Sequence, residues 1–169
     1  MLFRSNNIEY NWTSVEYNKD WYEKISKTTS KDPNLKIQLF DVGNKGLKQQ
    51  YTNMEEYIKF PKSLNKSFDL VIVDGRKRRR CVLEARDILS ESGVVFLHDA
   101  QRKYYQCAFI EFNDSVLLLP GLWRGSNKTV SRKRFWKNKV RSICNNLYNV
   151  LRTPYIFLKN IVKRMIYAK

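Results

Sequence analysis

Acidic residues are missing from the last third of this chain: from Ser115 to Lys169 there is no Asp or Glu, yet 13 of its 32 Lys and Arg lie there. Of the formal net charge of +16, those last 55 residues carry +13 and the preceding 114 carry +3. A segment charged so one-sidedly is suited to something anionic, whether nucleic acid, a phospholipid surface or an acidic glycan. Cysteine is scarce: Cys81, Cys107 and Cys144 are odd in number and show no CxxC spacing. That argues against a disulfide framework and against a structural zinc site. No stretch reaches the roughly 18 uncharged apolar residues of a membrane span. The opening MLFRSNNIEYNW lacks the apolar core of a signal peptide, so the expected location is cytoplasmic.

What is present suffices for a folded core. Hydrophobic residues make up 43% of the 169 positions, which excludes an intrinsically disordered chain and allows one domain-sized core with an appendage. No repeat is visible, so the organisation is read from strand and helix signals. Thr13 to Tyr17 is a short β-type run, with Asn18 as N-cap of a helix over Lys19 to Lys27 whose Trp21, Tyr22 and Ile25 share one face. After the turn residues Asp32, Pro33 and Asn34, Lys36 to Phe40 alternates like a half-buried strand, and Gly43 and Gly46 open a loop. Met54 to Ile58 forms a helical turn and Pro61 to Ser67 a polar connector.

FDLVIVDG, Phe68 to Gly75, is the strongest strand, and its unbroken Leu70 to Val73 run implies burial on both faces. From Lys77 to Ser90 the apolar Cys81, Val82, Ala85, Ile88 and Leu89 fit a helix with one buried stripe, stopped by Ser92-Gly93. Gly93 to Ala100 is a further strand, Gln101 to Phe112 a helix, and Val116 to Leu119 a strand. This alternation predicts an α/β fold of right-handed βαβ units, a mostly parallel sheet flanked by helices, over residues 1–130. Residues 131–169 form a basic tail with helices over Lys137 to Leu151 and Pro154 to Ala168. Thr153 and Pro154 are an N-cap and N1 pair, and Leu158, Ile161, Val162, Met165 and Ile166 make an apolar stripe.

In open α/β sheets ligands bind outside the carboxyl ends of the strands, which here carry Glu16, Asp41, Asp74 and the pair His98 and Asp99. Glu16 has the chemistry to accept hydrogen bonds from a ribose diol, or is an ordinary solvated strand-end carboxylate. Asp74 and Asp99 on adjacent strands offer hard oxygen ligands to Mg²⁺ or orient a substrate hydroxyl; alternatively Asp74-Gly75 is a turn and Asp99 a helix cap. His98 is a candidate general base or a structural histidine. In the run Arg76 to Arg80 the cations fall at the unfavourable end of a helix dipole. That reads either as a solvated charged turn or as recognition of phosphate or carboxylate by Arg76 and Arg79.

The segments TSVEYNKDWYEKI and FDLVIVDGRKRRRCVLEARDILSESGVVFLHDAQRKYY carry a resemblance, spanning Asn11 to Tyr105. They resemble the second strand and acidic tip, and the fourth and fifth strands, of class I S-adenosylmethionine-dependent methyltransferases, most of all small bacterial members with glycan or small-molecule acceptors. The resemblance implies a Rossmann-like fold with S-adenosylmethionine as cofactor, Glu16 on the adenosyl ribose, Gly75 in the cofactor site, and Asp74 facing either the methionine end or the acceptor. For such a methyl transfer the candidate catalytic set is His98, Asp99 and Asp74, with His98 or Asp99 as the base that takes the acceptor proton. Asp74 and Asp99 are also similar to the metal-binding aspartates of cation-dependent O-methyltransferases, which would bring in Mg²⁺, although Ala100 stands where those enzymes carry Asn. The glycine-rich loop after that family's first strand has no counterpart here, since no glycine precedes Gly43. The expectation is therefore a truncated methyltransferase, active in O-methyl transfer or inactive. The alternative is a non-catalytic α/β platform whose basic tail, through 154–168, binds an anionic membrane surface peripherally or, less in keeping with an amphipathic helix, nucleic acid.

Overall fold

The computed structural model describes residues 10–42 and 53–167, with side chains described up to residue 150. The loop expected at Gly43 and Gly46 lies outside the described residues. Two compact units are present: one built from residues up to Phe60 together with Gly75–Lys77, the other from Pro61–Asp74 and from Arg78 onward.

In the first unit β1 (Trp12–Glu16) and β2 (Leu35–Leu39) pair in parallel, with Trp12 opposite Leu35 and Glu16 opposite Leu39. The crossover between them is α1 (Lys19–Thr29), capped as expected: the Asn18 side chain accepts a hydrogen bond from the Trp21 amide. Tyr22 and Ile25 are half-buried, but Trp21 is exposed, so the helix turns Tyr22, Ile25 and Thr29 inward and leaves Trp21 out. α2 (Glu55–Ser63) runs through Pro61, and the connector expected from Pro61 therefore begins only after Ser63. Its Tyr57 meets Tyr17 and Phe40 edge-on, and Phe40 also meets Phe60.

The second unit holds a four-stranded sheet of order β3-β4-β6-β5: β3 (Phe68–Val73), β4 (Leu89–His98), β5 (Asp114–Leu119) and β6 (Leu122–Ser126). β3 and β4 are parallel, while β6 runs antiparallel to both its neighbours, so the sheet is mixed. With β1 and β2 these elements make an α/β fold of mixed sheets flanked by helices, consistent with the Rossmann-like fold that the resemblance implies, although the four-stranded sheet is mixed rather than mostly parallel. β6 escapes the sequence reading because Leu122-Trp123-Arg124-Gly125-Ser126 has only two apolar side chains. It forms because Gly121, at φ +103°, closes a tight turn after β5.

One face of this sheet is the core: Val73, Val95, Leu97, Leu117 and Trp123 pack with Val82 and Ala85 of α3 (Arg78–Ile88). The Trp123 indole stacks on Phe109 at 4.3 Å and donates to the Ser115 hydroxyl at 2.9 Å. The expected burial of Leu70 to Val73 on both faces is corrected: β3 is an end strand, and Ile72 is 59% exposed while Val73 is buried. The helix expected to run to Ser90 ends at Ile88, and β4 starts at the next residue. Gly93 does not stop a helix but lies within β4, where an added Cβ would sit 2.6 Å from the Phe68 carbonyl oxygen. The helix expected over Gln101 to Phe112 breaks into α4 (Lys103–Gln106) and a 3₁₀ turn at Phe109–Glu111. Hydrogen bonds spanning three residues, such as Ala108 N–H to Tyr105 C=O, tighten it.

The two tail helices are one. α5 (Arg132–Tyr167) continues through Thr153 and Pro154, which are interior positions rather than a cap; Pro154 costs the ladder one donor without ending it. The stripe expected at Leu158, Ile161, Val162, Met165 and Ile166 involves side chains outside the described ones. Among the described residues, no helix is long and apolar enough to cross a membrane.

Candidate active site

β3 and β4 run side by side in parallel with Val73 opposite Leu97, so the next residues, Asp74 and His98, leave the sheet as neighbours. His98 Nδ1 lies 2.9 Å from Asp74 Oδ1. Asp99 would point to the opposite side of an extended chain. Its φ of +56° instead reverses the backbone and brings its carboxylate to the same crevice, 3.8 Å from His98 Nδ1. The sheet thus assembles Asp74, His98 and Asp99, with their donor atoms within 4.8 Å of one another.

Arg78, the first residue of α3, bridges the two carboxylates of this cluster. Its Nη1 donates to Asp99 Oδ2 and to the His98 carbonyl, each at 2.9 Å. Nη2 donates to the Asp74 carbonyl at 2.9 Å and lies 3.0 Å from Asp74 Oδ1. The guanidinium beside Asp99 holds that carboxyl below the usual carboxylate range; the charges of His98 and Arg102 add to this, against a smaller effect of burial. The cation at a helix N-terminus that the sequence left unexplained is paid for internally, by two carboxylates one strand apart. Sequence reading singled out Arg76 and Arg79 and missed Arg78. The legible signal is the i,i+4 spacing of Asp74 and Arg78 beside a second strand-end aspartate.

The other expected site residues are placed elsewhere. Arg79 stacks its guanidinium over the Tyr104 ring at 4.8 Å. In the first unit, Arg76 Nε donates to the Tyr17 hydroxyl at 3.1 Å and its guanidinium lies 5.5 Å from that ring's centre. Gly75 packs against the Tyr57 hydroxyl so closely that a Cβ would collide with it. Glu16 turns back on its own chain: Oε1 accepts from the Tyr17 amide at 2.8 Å and the Asn18 amide at 2.9 Å, fixing the turn from β1 into α1. Beyond β2 the same unit has an open cleft walled by Phe40, Asp41, Asn53, Glu55 and Tyr57.

The aspartates do not fit Mg²⁺. That ion demands near-octahedral oxygen ligands, whereas here both carboxylates are paired with a guanidinium, Asp74 Oδ1 is also committed to His98, and the third donor is an imidazole nitrogen. What the cluster suits is proton transfer. With Nδ1–H donated to Asp74, the lone pair of Nε2 is held on an exposed imidazole as an acceptor.

No family model and no curated protein matches the chain. Among solved structures it is similar to the crystal structure of a methyltransferase-like protein from Silicibacter pomeroyi, at 20% sequence identity and a TM-score of 0.50, covering 75% of this chain and 73% of that one. At that identity the likeness is one of fold.

Proposed function

We propose that this chain is an S-adenosylmethionine-dependent methyltransferase that methylates a hydroxyl of a glycan or small molecule without a metal ion. The observation that carries the reading is the Asp74–His98 pair at the carboxyl ends of two parallel strands, its Nδ1 to Oδ1 distance being 2.9 Å. The fold likeness to a methyltransferase-like protein supports the reaction class. For the cofactor, Glu16 would hold the ribose diol through Oε2, its other oxygen being engaged with the chain. The cleft of Phe40, Asp41 and Tyr57 offers aromatic walls and a carboxylate to an adenine ring and its amino group.

The cofactor, when bound, would supply a methyl group made electrophilic by a sulfonium, the C–S bonding pair staying on sulfur as a neutral thioether. The chain's own part is to orient the acceptor and take its proton. His98 Nε2 removes that proton as the oxygen becomes nucleophilic, Asp74 keeps the ring in the tautomer with Nδ1–H and stabilises the imidazolium, and Arg78 keeps Asp99 ionised and both carboxylates in place.

The test is calorimetric titration with S-adenosylmethionine, followed by methyl transfer to hydroxylated acceptors by the parent and His98→Gln. Micromolar binding lost in Glu16→Ala but kept in His98→Gln, with turnover falling about 10²–10⁴-fold in His98→Gln, is expected of a general base outside the cofactor site. No binding by the folded parent refutes the reading.

A further inference from the structure

α5 packs against its own domain by the wrong face for an amphipathic helix. Between Arg132 and Val150 its half-buried positions are Asn138, Ser142, Asn145, Asn146 and Asn149, all polar. They face β5, the last strand of its sheet, whose outer edge would otherwise be open. Ser142 Oγ accepts from the Leu117 amide at 2.9 Å, and Asn145 Nδ2 donates to the Leu117 carbonyl at 2.8 Å. Arg141 Nε donates to the Leu118 carbonyl at 3.2 Å, and Arg134 and Asn138 both donate to the buried Asp114. The polar face is thus consumed in satisfying a strand edge.

The opposite face is apolar and open. Trp136, Val140, Ile143, Leu147 and Val150 recur every three or four residues and are 51–62% exposed. At about 100° per residue they form one stripe roughly 80° wide, diametrically opposite Asn138, Asn145 and Asn149. Lys133, Lys137 and Lys139 border it, and the Lys139 ammonium lies over the rings of Phe135 and Trp136 at 5.9 and 5.4 Å.

We infer that this stripe seats the protein on an anionic bilayer surface, with α5 lying in the interfacial plane. Charge complementarity selects the occupant. Lysines flank the stripe on both sides, and no acidic residue occurs anywhere from Ser115 to Lys169. A second copy of the same helix would set like charges against each other. Nucleic acid gives an apolar stripe nothing to bury against, whereas anionic lipid takes both parts: acyl chains under Trp136, Ile143 and Leu147, and headgroups at the lysines. The geometry is self-consistent, because the face pinned to β5 points away from the stripe and the domain would stand clear of the membrane. The inference is independent of the methyltransferase reading.

Co-sedimentation of the full chain with vesicles of phosphatidylcholine alone, and with about 30 mol% phosphatidylserine, tests it. Binding is expected to the anionic vesicles only, and to weaken by about tenfold or more in Trp136→Ser/Ile143→Ser/Leu147→Ser, whose exposed positions leave the melting midpoint unchanged. Should that variant fail to fold, Lys133→Glu/Lys137→Glu/Lys139→Glu is expected to lose the preference for phosphatidylserine. Absence of binding by the parent, or binding unchanged in the folded variant, overturns the inference. So does a dimer by light scattering that the apolar variant dissolves, which would assign the stripe to a second copy, or duplex RNA held equally by parent and apolar variant.

Discussion

Arg78→Met removes the guanidinium from the strand-end cluster while keeping a side chain of similar reach. Four interactions go with it: two hydrogen bonds to the carbonyls of Asp74 and His98, and two charged contacts to the carboxylates of Asp74 and Asp99. Net contributions of roughly 0.5–1.5 kcal/mol for each carbonyl bond, and at most about 1 kcal/mol for each solvent-accessible ion pair, would add to several kcal/mol. Because the carboxylates are partly exposed and rehydrate, the expected loss is about 2 kcal/mol. It depends on pH. The Asp99 carboxyl is held below its ordinary range by Arg78, so its share of the stability is fully present above the unfolded value of about 3.9 and disappears as the pH falls through the lower folded value. Urea unfolding at pH 7 and pH 3 therefore gives parent and variant midpoints that differ at pH 7 and draw together at pH 3. The same substitution frees both carboxylates of a three-donor cluster from their cation, so the variant, unlike the parent, is expected to gain melting temperature from Mn²⁺ or Zn²⁺. A variant as stable as the parent at pH 7, or a parent that Mn²⁺ stabilises as strongly as the variant, would refute the assignment of Arg78 as the site's internal cation.

Two further predictions concern the second unit. Asp114, 2% exposed, accepts from Arg124, Arg134 and Asn138, so Asp114→Asn leaves two guanidinium groups without their counter-charge. It should cost about 3 kcal/mol in urea unfolding and speed amide exchange in the first turns of α5; a cost under about 1 kcal/mol would reduce the network to decoration. Burial pushes the Cys81 thiol up to about 12, so iodoacetamide at pH 8 should label the exposed Cys107 and Cys144 in the native protein and spare Cys81, as peptide mass spectrometry would read. Equal labelling of all three would contradict the packing of α3.

How much of this was legible in the sequence depended on whether local pattern or long-range pairing decided the matter. Asn18 as a cap, β1, β2, β3 and the helix that became α3 all follow from residues within one element, and each stands within a few residues of its expected place. Strand order does not. FDLVIV reads as a central strand because four apolar residues in a row fit burial on both faces. Its place at the end of β3-β4-β6-β5, with Ile72 open, is fixed by which strands pair with it, and composition does not encode that. β6 was invisible for a related reason: a five-residue strand with two apolar side chains exists because Gly121 folds it back on β5.

The same distinction governs the site and the tail. Asp74, His98 and Asp99 are recognisable as strand-end polar residues, but that His98 meets Asp74 rather than Asp99 follows from the parallel register of β3 and β4, and that Asp99 rejoins them follows from a left-handed backbone. Arg78 was hidden in a run of five basic residues, where charge counting gives each the same weight; its spacing of four from Asp74 is legible, but its pairing with Asp99 follows only from the fold. In α5 the period of the apolar residues is plain from the sequence, and convention assigns such a stripe to the core. The strand edge of β5 reverses that assignment: Asn145 and Ser142 satisfy backbone groups that an apolar face would have left unpaired, so the polar side goes inward and the apolar side stays exposed.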